Sequence, residues 1–201
     1  MLDAAVRRRV DPLLDRVAAA VVRAGISADA VTLTGAVIGL AACVAIALRA
    51  DGLALGLLAL NRLADGLDGS VARRTLTTDR GGFLDIVCDF LFYGGFVFAF
   101  ALGRPEAALP AAFLLVSFIG TGASFLAFAV FAAKRGITTE IRGAKSLYYL
   151  GGLTEGTETI ALFVAICLVP DAFPWLAWGF GALCWLTVAS RVASGWRAFG
   201  P

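Results

Sequence analysis

The chain contains no histidine. That absence removes HExxH zinc sites, imidazole general bases and Ser-His-Asp triads together. Charge is also scarce: Asp, Glu, Lys and Arg make up 16% of the residues, against about a quarter in soluble domains. The formal net charge of +2 is too small to argue for a nucleic-acid partner. The four cysteines, Cys43, Cys88, Cys167 and Cys184, stand in apolar runs without metal-ligand spacing. They read as small buried hydrophobes rather than a disulfide scaffold. Transporter-like internal repeats and low-complexity tracts are missing too. What remains is a chain of 201 residues that is 60% hydrophobic, with a mean hydropathy of +0.86. A single water-soluble domain of this size could not cover so much apolar surface. The composition excludes disorder and predicts an all-α, multi-pass integral membrane protein.

Residues 1–24 carry Arg7, Arg8, Arg9, Arg16 and Arg23. Leu13, Leu14, Val17, Ala20 and Val21 recur among them at helical spacing, as in an amphipathic helix lying on a membrane surface. Asp11, Asp15, Arg16 and Arg23 break any signal-peptide core. We therefore expect a juxtamembrane helix over 1–26 and a transmembrane domain over 27–201, with Ser27 or Asp29 capping its first helix. Six spans are predicted: 30–48, 53–73, 82–103, 107–133, 146–169 and 173–191. Spans two, three and five contain charges and score weakly on hydropathy alone. The N-terminus, the 74–81 loop taken from Arg73, the 134–145 loop and the C-terminus hold 5, 3, 4 and 2 Lys/Arg. The opposite side holds only Arg49 and Arg104, so both termini are expected in the cytoplasm. The spacings Gly35/Gly39, Gly52/Gly56 and Gly152/Gly156 permit close helix contact. The tryptophans at 175, 178, 185 and 196 suit an aromatic belt at the ends of span six.

The informative stretch runs from Asn61 to Phe92. Asp65 and Asp68 are three apart near the end of span two, and Asp85 and Asp89 are four apart near the start of span three. Both spacings place two carboxylates on one helix face. A short loop makes the helices antiparallel neighbours, so all four acids can converge at one depth. Such a cluster repels itself and is costly to desolvate, so a cation must compensate. All-oxygen ligation suits hard ions such as Mg²⁺, Mn²⁺ or Ca²⁺. Two divalent ions would balance four carboxylates, and a two-ion site suits in-line phosphoryl displacement. The competing reading pairs these acids with Arg62, Arg73, Arg74 and Arg80. Around them, Gly66, Gly69 and Ala72 leave room for a bulky ligand. Arg73 and Arg74 can clamp phosphate oxygens. Thr77 and Thr78 offer hydroxyls, and Gly81 and Gly82 open a helix N-terminus that favours anions.

The run Asp65-x-x-Asp68-Gly69-x-x-Ala72-Arg73, then Gly81-x-x-x-Asp85-x-x-x-Asp89, resembles the signature of the class I CDP-alcohol phosphatidyltransferases. Seven residues separate Arg73 from Gly81 here, one fewer than in the family pattern. The resemblance implies that Asp65, Asp68 and Asp85 hold two divalent ions, Mg²⁺ or Mn²⁺, with Asp89 close to the second. It implies that Asp89 is also the base that deprotonates the acceptor hydroxyl. Gly69, Arg73 and Thr78 would hold the CDP moiety. Thr32 would join them, in a stretch that lacks the family's Pro-Asn. The implied reaction moves a phosphatidyl-type group from a CDP-linked lipid to an alcohol and releases CMP. An inner-face site in a bacterial cytoplasmic membrane and a homodimer follow from the same resemblance.

Lys134, Arg135, Arg142 and Lys145 share one loop. They suit either a phosphorylated acceptor or simple positive-inside bias with anionic lipid contact. Arg142 and Lys145 are the candidate acceptor-binding residues. Glu155 and Glu158 are expected inside span five on one face, with Arg62 able to neutralise one of them. Two rival functions stand beside the enzyme. One is a secondary transporter using Asp65, Asp68, Glu155 and Glu158 as a cation path. The other is a non-catalytic scaffold with a relict site.

Overall fold

The computed structural model describes residues 2–137 and 152–200, and side chains from Pro12 onward. Those residues form seven α-helices and no strand. They are α1 (Leu2–Arg23), α2 (Ala28–Ala47), α3 (Asp51–Arg74), α4 (Asp79–Gly103), α5 (Ala108–Lys134), α6 (Gly156–Leu168) and α7 (Phe173–Ala198). Short 3₁₀ turns at Pro105–Ala107 and Pro170–Ala172 lead into α5 and α7. Proline's fixed φ and missing N–H suit such starts.

Four helices are long and apolar enough to cross a membrane: α2, α4, and α5 and α7 with their leading turns. Helix α3 is long enough at 24 residues but is interrupted by charge. Their apolar residues do not all face inward. Leu33, Val37, Leu40 and Val44 form an exposed stripe on α2, as do Leu91, Phe98 and Leu102 on α4. Such faces suit lipid, where an apolar exterior costs nothing. Trp175 and Trp196, near opposite ends of α7, are both exposed.

Helix α2 packs along α3 and α4, α5 packs on α7, and α1 lies against α3. Glycine makes the α2–α3 approach possible. A Cβ on Gly35 would lie 3.0 Å from Ala64 Cβ, and one on Gly39 would lie 2.9 Å from both Asn61 Nδ2 and Phe92 Cδ2. A Cβ on Gly52 or Gly56 would meet nothing within 4 Å among the described residues. The core is aromatic: Phe96 stacks on Phe163 at 4.7 Å and Phe100 on Phe173 at 4.1 Å. Helix α1 buries Leu14 and Ala18 and leaves Leu13 and Val17 exposed.

Several predicted boundaries move. Helix α4 starts at Asp79, so the α3–α4 connection spans only 75–78. Thr78 is its N-cap, its hydroxyl accepting from Gly81 N at 3.0 Å. Ser27, not Asp29, caps α2, accepting from Ala30 N at 3.2 Å. Helix α7 runs on to Ala198, past the expected 191.

Span five differs most, because α6 has only 13 residues and residues 152–155 precede it without helix. The polar Thr-Glu-Gly-Thr-Glu-Thr run forms the cap and first turn of α6 rather than lying within a continuous helix. Glu155 and Glu158 form a reciprocal capping box. Thr187 Oγ1 accepts from Leu153 N and Thr154 N, both at 3.2 Å, and fastens the turn to α7.

Candidate active site where α2, α3 and α4 converge

The carboxylates lie at the end of the bundle where α2 begins, α3 ends and α4 begins. Oxygens of Asp65, Asp85 and Asp89 all lie within 4.8 Å of one another. Asp68, one turn beyond Asp65, is buried, and its Oδ2 accepts from the Thr32 hydroxyl at 2.6 Å. All four aspartates line one cavity, together with Thr32, Gly35, Ala36, Asn61, Arg62 and Cys88. Two helices thus bring both halves of the sequence motif to one place, and α2 closes the third side.

Arg62 enters this pocket. Its Nη1 donates to Asp89 Oδ1 at 3.0 Å and lies 3.7 Å from Asp65 Oδ2. Its Nε donates to Asn61 Oδ1 at 2.8 Å. The expected neutralisation of Glu155 or Glu158 by Arg62 is not what forms. The i,i+3 spacing to Asp65 keeps Arg62 on the aspartate face of α3, while the two glutamates turn to α6's own backbone.

Among the other arginines, Arg80 pairs with Asp29 across the α2 and α4 starts. Arg73 Nη2 donates to Ser70 Oγ at 2.8 Å, and a Cβ on Gly69 would meet Arg73 Nη1 at 3.3 Å. Gly69 therefore leaves the space that this exposed guanidinium crosses. Thr78 caps α4 and, like Gly69 and Arg73, does not line the aspartate cavity. Arg142 and Lys145 lie outside the described residues.

Asn61, Arg62 and Cys88 are pocket residues that the motif did not select. The i,i+3 step from Arg62 to Asp65 was the available signal for Arg62. Cys88 carried no signal, and it is half-buried beside the acids rather than packed in the core.

The donor set fits hard divalent ions. It consists of oxygens only, three of them already convergent, with anionic charge in excess of the single arginine among them.

Residues 25–190 match the family model of the CDP-alcohol phosphatidyltransferases. The chain belongs to that family. It is an enzyme, a membrane transferase of phospholipid synthesis. It is 53% identical to the inner membrane protein YnjF of Escherichia coli K12 over 197 residues, 98% of this chain and 96% of that one. It is 39% identical to archaetidylinositol phosphate synthase of Methanothermobacter thermautotrophicus over 102 residues, 49% of this chain and 47% of that one. Among solved structures, the phosphatidylinositol phosphate synthase PgsA1 of Mycobacterium tuberculosis with CDP-DAG bound shares the fold. Its TM-score is 0.74 at 18% identity, covering 92% of this chain and 94% of that one. The same synthase in complex with manganese and citrate gives a TM-score of 0.71 at 20% identity, covering 91% and 88%.

Proposed function

We propose that this enzyme transfers a phosphatidyl-type group from a CDP-diacylglycerol-like lipid to a small alcohol, with release of CMP, in a metal-dependent reaction. The observation that carries the reading is the convergence of Asp65, Asp85 and Asp89 beside Asp68 in one pocket. Two divalent ions, Mg²⁺ or Mn²⁺, held by Asp65, Asp68, Asp85 and Asp89 would neutralise the diphosphate and improve CMP as a leaving group.

The chain's own residues supply the rest. Arg73 and the Thr78 hydroxyl at the α4 N-terminus take the phosphate oxygens. Gly69 leaves room beside them, and Thr32 holds Asp68 at the nucleotide side. Asp89 receives the acceptor's hydroxyl proton as the acceptor oxygen–phosphorus bond forms. The bond from that phosphorus to CMP breaks in the same displacement.

The arrangement in the membrane is part of the proposal. Residues 1–26 form the juxtamembrane helix, and 27–201 form a six-span domain with both termini and the active site in the cytoplasm. Support comes from the Lys/Arg distribution and from the site's place at a bundle end, where lipid and soluble substrates meet. Arg142 and Lys145 would receive the acceptor, and the working unit would be a homodimer in a bacterial cytoplasmic membrane.

The test is CMP release by purified protein in liposomes with CDP-diacylglycerol and Mg²⁺ or Mn²⁺. The acceptor panel is glycerol phosphate, inositol phosphate, serine and free inositol. Metal-dependent release with one acceptor is expected. CDP-lipid cleavage that persists in excess chelator contradicts the metal reading.

A further inference from the structure

Arg62 occupies the part of the pocket that a metal ion needs. It contacts Asp89 at 3.0 Å and Asp65 at 3.7 Å, two of the three acids whose oxygens converge. The cavity they share has a volume of about 20 Å³, room for about one water-sized occupant. A hard divalent ion needs several oxygen ligands at about 2.0–2.6 Å. A guanidinium bonded to the same carboxylates takes lone pairs from that set.

The remainder of the side chain is anchored independently of the acids. Nε is held by Asn61 Oδ1, and Asn61 Nδ2 donates to the Gly35 carbonyl at 2.8 Å, which fixes the amide's orientation. The guanidinium carbon lies 5.0 Å from the Phe92 ring centroid and 5.6 Å from that of Tyr93. Nη1 is also 3.4 Å from the Tyr93 hydroxyl. These aromatic and hydroxyl partners can keep a guanidinium that has released Asp89 at the edge of the pocket.

We propose that Arg62 is a positioning residue, a tethered counter-cation of the metal pocket. It neutralises Asp65 and Asp89 until a divalent ion arrives, yields their oxygens to that ion, and so sets how tightly the site holds metal. This rests on the reading of the four aspartates as metal ligands. An arginine serving only to hold α3 to α4 would leave metal affinity unchanged, or lower it when removed.

The experiment is a Mn²⁺ titration of the detergent-solubilised full chain, with free Mn²⁺ read by electron paramagnetic resonance. Thermal unfolding is followed with and without Mn²⁺. Wild type is compared with Arg62→Gln, Arg62→Lys, Asp89→Asn and the Arg62→Gln/Asp89→Asn pair. Removing the competitor lowers the Mn²⁺ Kd by about tenfold, the scale of one charge-assisted hydrogen bond. It also lowers the metal-free Tm and enlarges the rise in Tm on adding Mn²⁺. Arg62→Lys keeps the charge, loses the fork and the Nε bond, and falls between. The gain from Arg62→Gln shrinks in the Asp89→Asn background.

Mn²⁺ affinity in Arg62→Gln equal to or weaker than wild type overturns the proposal. Should Arg62→Gln fail to fold, the same outcome in Arg62→Lys does so. A wild-type chain that binds no Mn²⁺ removes the metal-site reading itself, which is a different failure.

Discussion

The two ends of the helical bundle use the same side chains to opposite purpose. At the end away from the site, Arg104 Nη2 contacts both Asp51 oxygens, at 2.9 and 2.7 Å, and its guanidinium lies 4.5 Å from the Phe100 ring centroid. Arg49 Nε donates to the Gly103 carbonyl at 2.8 Å, and its other arm lies 3.8 Å from Glu106. Asp51 and Glu106 each meet one arginine, and these two pairs join the α2–α3 turn to the α4–α5 turn. At the site end, one arginine stands among four aspartates. Balanced charge closes on itself and leaves nothing to bind. Unbalanced charge of one sign, gathered on rigid helices, calls for a cation from solution.

This contrast can be broken by mutation. The largest effect belongs to Asp89→Asn, which removes the base: turnover falls by about 10²–10⁴, well beyond the loss of CDP-lipid binding from one metal ligand fewer, and equal loss of both sinks the role. Next is Arg104→Met at the opposite end. It strands Asp51, which is 20% exposed, and costs about 3 kcal/mol of stability by the scale for broken buried pairs. The fall in Tm comes without a change in kcat of the folded fraction, whereas a selective loss of kcat would erase the distinction between the ends. Arg73→Lys exchanges a bidentate fork for a point charge. We expect the KM for CDP-lipid to rise about tenfold with kcat nearly constant, on the scale of one charge-assisted bond.

The smallest effects compare two glycines. Gly39→Ala presses on Asn61 and Phe92 and costs about 1–3 kcal/mol. Gly52→Ala meets nothing within 4 Å and gains up to about 1 kcal/mol of helix propensity. Thermal unfolding of the two variants side by side checks the pair.

Much of this contrast was legible in the sequence. The i,i+3 and i,i+4 aspartates and the short connection between them predicted their convergence, because helical periodicity and antiparallel packing leave few other arrangements. The all-helical membrane class followed from composition. Partners across helices were not legible. Apart from the aspartate face of α4, helices α2, α4 and α5 are apolar nearly all round, so their periodicity does not show the rotation of the bundle's helices against one another. Whether Arg62 would meet Asp89 or Glu158 depended on that rotation. The Thr32–Asp68 bond shows the same limit, since the two residues are 36 apart and the close approaches at Gly35 and Gly39 bring their helices together. The step from Glu155 to Glu158 fits a continuous helix as well as a helix start, so it does not mark where α6 begins. A capping box reads the same three-residue step as a helix start.

The central claim is that the unbalanced end is a divalent-metal site. Anomalous diffraction from crystals grown with Mn²⁺ tests it most directly. The account predicts two Mn²⁺ peaks among the oxygens of Asp65, Asp68, Asp85 and Asp89, and none beside Asp51 or Glu106. Crystals that hold Mn²⁺ elsewhere, or leave the four aspartates without it at saturating Mn²⁺, would contradict it.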